Sequence, residues 1–494
     1  MVNTGLPSRA CENCRQRRVT CDYRRPNCGR CDRTGRSCTY RDLQNPELAF
    51  RIQTPASYRG RPTRPINNQT LGQQVVQSGN HPLRHDSPPR CPAEPWDVHI
   101  IPLIMSQFSF PAPDGGRFYG SLECFSTILP NMQPGSMMQF ACDAVGYVCL
   151  MNKAPPSREL ANRHQRAYGH ALQQLRYALE DPIAQTEDDV LLAVWLLCLY
   201  ELMLGTPSDA PGPGPSNWAA HSMALTGLLR ARGHEQFRTR LGCQLFQLCY
   251  HHIQTCALQS GAEPDPEAKG WFETIQSTVS VGDSLYIFLP FFYQGDEAAR
   301  ISSKALSVWG RTFEQQEKLG IIETAFQSAR TLAMVMDRSL DRIHSRSPRP
   351  RLNEPVNTRQ AHHLVLHIRN HVDTCILRLD SELLNLLLET TAWPNIRPET
   401  RAHIDHLQRI CSQSAWERTD RILATIPQFM PENSSDPPGW ADALRLMWPA
   451  RVILASPATR GSRAEAANEV LRRIAYEVGI MQAVGSYFKP VSAL

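Results

Sequence analysis

Six of the sixteen cysteines in this 494-residue chain fall within the first 38 positions, at Cys11, Cys14, Cys21, Cys28, Cys31 and Cys38. The unit Cys-x2-Cys-x6-Cys occurs twice in succession, and a Cys-x2-Cys turn aims two thiolates at one tetrahedral ion. One zinc would leave two cysteines without a metal. Two zincs need eight ligand positions, which six sulfurs supply if two of them bridge, and the internal symmetry favours one bridging sulfur from each half. Three disulfides are the alternative in an oxidising compartment, but the first residues hold no apolar stretch of the kind that directs export. An iron–sulfur site would call for the closer Cys-x2-Cys-x2-Cys run. A segment this short buries too little apolar surface to fold alone, so the metal also has a structural task.

The surroundings of these cysteines indicate what the metal unit presents. Residues 1–41 hold ten arginines, no lysine and three acidic residues, a net of +7, which leaves −2 for the rest of a chain whose total is +5. Two zinc ions held by six thiolates carry about −2, so the unit remains positive, as suits a polyanion-binding head on a near-neutral body. A short helix entered from the Cys11/Cys14 turn would carry Arg15, Arg17 and Arg18 outward, because the cysteines must face the metal. Arginine's planar fork grips phosphate or pairs bidentately with guanine in the major groove, so double-stranded DNA is the expected partner. Arg9 and Arg24 are candidates for further DNA contacts. The same basic run also reads as a nuclear localisation signal or a solubilising face, and these readings are compatible with DNA binding.

The six-cysteine spacing, the basic stretch between Cys14 and Cys21, and Pro26 shortly before Cys28 resemble the fungal zinc binuclear cluster family of transcription factors. The resemblance implies two zinc ions, with Cys11 and Cys28 at the bridging positions. It also implies that the end of the first helix enters the major groove and reads a CGG-type triplet, with the basic residues around Arg17 and Arg18 as base and phosphate contacts. A looser resemblance, through Trp218-x2-His221-x5-Gly227-Leu228-Leu229-x3-Gly233, connects the later chain with the fungal-specific regulatory domain that follows such clusters. It implies a helical regulatory body that engages coactivators, effectors or a second copy of itself, with coactivators or corepressors as the expected protein partners.

These functional residues need elements to hold them. The expected fold class is mostly α: a small zinc-stabilised binuclear cluster domain at 1–41, a flexible Pro-rich linker at 42–95 and a large all-α regulatory domain at 96–490. Residues 42–95 contain nine prolines and no sustained apolar heptad, which disfavours a continuous helix or a dimerising zipper there. From Trp96 onward apolar residues recur at helical spacing. Ser157 is placed to cap a helix with a stripe through Leu160, Tyr168, Ala171, Leu172, Leu175 and Leu179. Thr186 and the acidic Glu187, Asp188 and Asp189 begin a second helix over Val190 to Leu204, too short a stretch to span a membrane. A third helix from Asn217 stops at Gly233, and Ser462-x-x-Glu465 reads as a capping box for a last one.

Other groupings are weaker signals. His363, His367, His371 and Cys375 recur every four residues, but Leu364, Ile368, Val372 and Ile376 run beside them, so the histidines read as the edge of a buried face rather than a metal stripe. Cys142, Cys149, Cys198, Cys243, Cys249 and Cys256 sit among apolar neighbours, as core thiols do. No phosphate loop, dinucleotide-binding glycine motif or nucleophile elbow occurs, so the chain is not expected to be an enzyme. The expected function is therefore a nuclear, sequence-specific DNA-binding regulator of RNA polymerase II transcription. The rival reading is a nuclear zinc module that binds protein or RNA, and a body that senses a small molecule would show a deep pocket with convergent polar groups.

Overall fold

In the computed structural model, residues 10–39 and 97–485 are described, apart from 18, 23, 25, 109, 112–116, 119–123, 154–156, 206–216, 281–283, 310–313, 347–355 and 432–438. The proline-rich segment expected as a linker lies outside the described residues. The chain divides into two units, one ending at Pro88 and the other starting at Pro89.

The first unit holds two five-residue helices, α1 (Glu12–Gln16) and α2 (Gly29–Arg33), each opening at the first cysteine of a repeat. Its core is sulfur: Cys11, Cys14, Cys21, Cys28 and Cys31 are buried, and among the described residues Ala10, Val19 and Cys38 pack against them as partly buried apolar groups. So little apolar surface cannot hold a fold by itself, and metal binding must supply the difference.

The second unit is built of helices: α3 (Asp97–Gln107), α4 (Cys124–Ile128), α5 (Met137–Lys153), α6 (Arg158–Glu180), α7 (Asp188–Leu204), α8 (Asn217–Arg232), α9 (Arg240–Ser260), α10 (Ala268–Thr278), α11 (Ser284–Leu306), α12 (Gln315–Arg346), α13 (Val356–Thr390), α14 (Pro398–Phe429), α15 (Trp440–Ala455) and α16 (Ser462–Arg473). One departure from an all-α body is a two-residue antiparallel pair, β1 (Phe110–Pro111) with β2 (Arg117–Phe118).

Two helices are wrapped by the others. α7 is apolar on every side and buried from Val190 to Met203, against α5, α8 and α9, as expected of a helix without a solvent face. α13 lies among α11, α12, α14 and α15, and is buried from Val372 to Leu384. None of the described helices is long and apolar enough to cross a membrane.

Charges on α13 are held by partners. Arg418 of α14 places one guanidinium nitrogen 2.8 Å from Asp373 and another 2.6 Å from Asp337, while Arg421 reaches Asp373 at 2.9 Å. Around α7, Glu201 accepts the hydroxyl of Tyr168 at 2.7 Å, and that hydroxyl lies 3.1 Å from Nε2 of His221. The His221 position that carries the looser resemblance is thus a packed, hydrogen-bonded interior position.

Several local expectations are met. The Ser157 hydroxyl accepts the N–H of Leu160 at 3.3 Å and caps α6. α8 ends at Arg232, and Gly233 takes φ +56°, the left-handed region that favours glycine. All six scattered cysteines lie in the core or at its margin.

Others are corrected. Leu179 is 40% exposed, so the stripe on α6 ends at Leu175, and His164 joins the buried face with Nδ1 at 2.9 Å from the Tyr200 hydroxyl. Thr186 does not begin α7, which starts at Asp188 after Glu187 in the cap position; it closes a 3-10 turn (Ala184–Thr186) and its hydroxyl donates to the Ile183 carbonyl. The Ser462/Glu465 capping box is not formed, because Ser462 is already helical and Gly461, at φ +63°, holds the cap position. A residue within the helix cannot also be the extended residue whose side chain folds over the first turn.

Candidate metal centre and nucleic-acid interface

The six sulfurs form two sets of four. Cys11, Cys14, Cys21 and Cys28 make one and Cys11, Cys28, Cys31 and Cys38 the other, with all ligand atoms in each set within 4.8 Å of one another. Cys11 and Cys28 belong to both. Sulfur pairs lie at 3.8 Å for Cys11–Cys28, 3.7 Å for Cys11–Cys31 and 3.8 Å for Cys14–Cys28. Four thiolates about 2.3 Å from a tetrahedral zinc are separated by about 3.8 Å, so the sets have the size of two zinc tetrahedra that share one edge. The cysteines are free thiols rather than disulfides.

The backbone repeats this symmetry. The N–H of Cys14 points at the sulfur of Cys11 at 3.4 Å, and the N–H of Cys31 at the sulfur of Cys28 at 3.3 Å. The Cys28 N–H donates to the Cys38 sulfur at 3.1 Å and so joins the two ends of the second repeat. The Cys31 N–H and neighbouring thiols bring the Cys28 thiol down to about 6, against the effect of burial, which pushes Cys31 up to about 12 and raises Cys11 and Cys14. A bound dication deprotonates such thiols outright and supplies the charge that lets six sulfurs share so small a volume.

A support that the spacing of cysteines does not reveal comes from Asp22. Its two carboxylate oxygens accept the N–H of Gly29 at 3.1 and 3.0 Å, at the first residue of α2. A Cβ on Gly29 would stand 2.7 Å from Asp22 Oδ2, so any side chain there would displace the carboxylate from this approach. The signal available in sequence was the pairing of an acidic residue after Cys21 with a glycine after Cys28.

The expected DNA-contacting arginines are placed unevenly. α1 runs through the Cys-x2-Cys turn itself and stops at Gln16, earlier than a helix filling the Arg15–Thr20 spacer. Arg17 continues it by one bond, N–H to the Asn13 carbonyl at 3.2 Å, and the Val19 N–H then returns to the Cys14 carbonyl at 3.0 Å, which turns Val19 back onto the cluster. Arg15 lies on α1, and Arg17 is exposed at its end. Arg24 is exposed on the segment joining the repeats, with Arg30, Arg33 and Arg36 exposed on and after α2. Arg9 and Arg18, and the side chain of Arg15, lie outside what is described.

Among the described residues only the two cysteine sets have metal-binding geometry. His367 and His371 instead meet His251 of α9, with ring centres 5.7 and 5.0 Å from it, and line a cavity of about 170 Å³. The side chain of His363 lies outside the described residues.

Two family models match the chain. Residues 9–46 match the fungal Zn(2)-Cys(6) binuclear cluster domain, and residues 87–275 match the fungal specific transcription factor domain. No curated protein and no solved structure was found to match.

Proposed function

Because the chain is a DNA-binding transcription regulator that carries a fungal Zn(2)-Cys(6) binuclear cluster domain and a fungal specific transcription factor domain, with two zinc ions in the first, we propose that it works in the nucleus and reads CGG-like triplets in the major groove for RNA polymerase II transcription. The observation that carries this reading is the pair of four-sulfur sets sharing Cys11 and Cys28, with α1 and the exposed Arg17 directly attached. The cluster fixes the start of α1 through Cys11 and Cys14, so the basic end of the helix is held at a set angle. In this proposal Arg15, Arg17 and Arg18 make base and phosphate contacts, and Arg9 and Arg24 neutralise flanking phosphates.

The division of labour follows the proposed domains. Residues 1–41 choose the site, 42–95 link, and 96–490 form the body through which coactivators or corepressors act. Neither matched family is a family of enzymes, and the cluster's chemistry is that of a closed structural zinc site, in which every coordination position is taken by sulfur.

The test is binding of the zinc-loaded chain to a duplex with a CGG triplet and to its scramble, each repeated after chelation. Selective binding lost on chelation supports the reading. Zinc-bound protein without duplex preference would move the cluster to recognition of protein or RNA.

A further inference from the structure

The cavity in the helical body has the make-up of a ligand site. Its volume, about 170 Å³, compares with the roughly 150 Å³ of an apolar cavity that admits benzene, so one or two fused rings fit. Trp195 of α7, Phe288 and Phe292 of α11 and Trp448 of α15 supply aromatic walls. Polar groups converge from three helices: His251 from α9, His367 and His371 from α13, and Arg445 from α15.

Two observations go beyond shape. The Nδ1 atoms of His367 and His371 are buried and have no hydrogen-bond partner, in residues only 9% and 7% exposed. Buried polar atoms without partners cost roughly 1–3 kcal/mol each, and two facing the same cavity as a buried arginine are a poor design for an empty core. Arg445 is the only formally charged residue among those lining the cavity; its ion pair with Asp442 is long, at 3.7 Å, with both side chains 13% exposed. Burial and the Arg445 charge hold His251 down to about 4, and burial with the neighbouring His251 brings His371 down to about 3, so the imidazoles are neutral near pH 7 and each offers a donor and an acceptor.

We propose that this cavity binds a small planar aromatic molecule carrying one carboxylate or similarly acidic oxygen, with the ring held between the aromatic walls and the anion facing Arg445 and the histidines. The pairing follows from complementarity: apolar walls favour the ring, and an arginine whose acid partner, Asp442, stands 3.7 Å away and outside the lining favours an anion over a neutral or cationic group. His367, His371 and Arg445 lie outside the span matched by the transcription factor domain, whereas Trp195 and His251 lie within it, so the cavity is closed by helices from both sides of that boundary.

The experiment uses the full-length, zinc-loaded protein with 2-naphthoate, its neutral isostere 2-naphthamide, and acetate as a small-anion control, read by calorimetric titration and by the melting temperature. The expected result is saturable one-to-one binding of naphthoate, at least tenfold tighter than naphthamide, with a raised melting temperature and no effect of acetate. Arg445→Gln is expected to remove the preference for the acid, and Ala441→Leu, which fills part of the cavity, to weaken both aromatic probes. No saturable binding by the unaltered protein, or equal affinity for acid and amide, overturns the proposal without any variant having to fold. Unchanged naphthoate affinity in a folded Arg445→Gln protein overturns the assigned role of the arginine.

Discussion

The carboxylate of Asp22 holds the N–H of Gly29 with both oxygens, at 3.1 and 3.0 Å, and so ties the residue after the third cysteine to the residue after the fourth. This contact crosses between the two cysteine repeats. It positions Cys28, whose sulfur belongs to both metal sets, from outside the ligand shell.

Gly29→Ala is therefore expected to weaken zinc retention, since the new methyl would meet Asp22 Oδ2 at 2.7 Å. Groups that orient metal ligands are worth roughly 10–100-fold in affinity, and a loss of about tenfold is expected in a chelator competition. Asp22→Ala should give a loss of the same order. Unchanged zinc affinity in both variants would show that the contact does not position the ligands.

On DNA, Arg18→Ala should relax sequence preference more than Arg24→Ala, which should weaken all sequences alike. The measurement is affinity for the CGG duplex relative to its scramble. Equal effects would overturn the assignment of α1 and its end as the reading element.

Binding should also weaken steeply with salt, with a log-log slope of about −0.9 for each phosphate neutralised. Removal of one phosphate-contacting arginine should reduce that slope by about one unit. A flat salt response would contradict a phosphate-based interface.

In the body, Arg418→Ala leaves Asp373, 1% exposed at its side chain, without the closer of its two guanidinium partners. Loss of one member of a buried ion pair typically costs about 3–5 kcal/mol. Chemical denaturation followed at the helical signal should show a loss in that range, and a loss below about 1 kcal/mol would mean that Arg421 suffices.

The body should lose stability as pH falls from about 6.5 toward 4. Burial holds His251 and His252 down to about 4 and His371 down to about 3, so the unfolded chain binds protons in this window that the folded chain refuses. Each contribution is complete above the unfolded value and disappears as pH drops through the folded one. Asp296 acts oppositely: burial raises its carboxyl to about 6, so the folded form gains a proton first and is favoured on acidification. Burial lowers His164, His221 and His367 as well and raises Asp189 and Glu382, so six histidines stand against three carboxyls and the net change on acidification is a loss. A denaturation midpoint that is constant between pH 7 and pH 5 would contradict this balance.

The metal centre was legible because ligand arithmetic is local. Six cysteines within 28 positions, in a repeated spacing, leave few ways to satisfy tetrahedral ions, and the sulfurs take the shared-edge arrangement that the symmetry and resemblance implied. The helical body was legible for a similar reason, since apolar residues at intervals of three and four mark a buried helix face wherever the helix ends up. Ser157 could be read as a cap because its acceptor role depends only on the next three residues.

What the tertiary structure decided were contacts between positions distant in sequence. The capping role of Ser462 was lost to the left-handed turn at Gly461, and the span of α1 was set by the return of Val19 to the cluster, neither of which a spacing encodes. Asp22 and Gly29 became partners only when both repeats folded on the same metals. The cavity is the clearest case: His251 meets His367 and His371, more than a hundred residues away, only because α9, α13 and α15 pack around the same space. Residue periodicity says which side chains are buried. It does not say whether the helices above them close completely, and that gap between packed helices is where a ligand would be held.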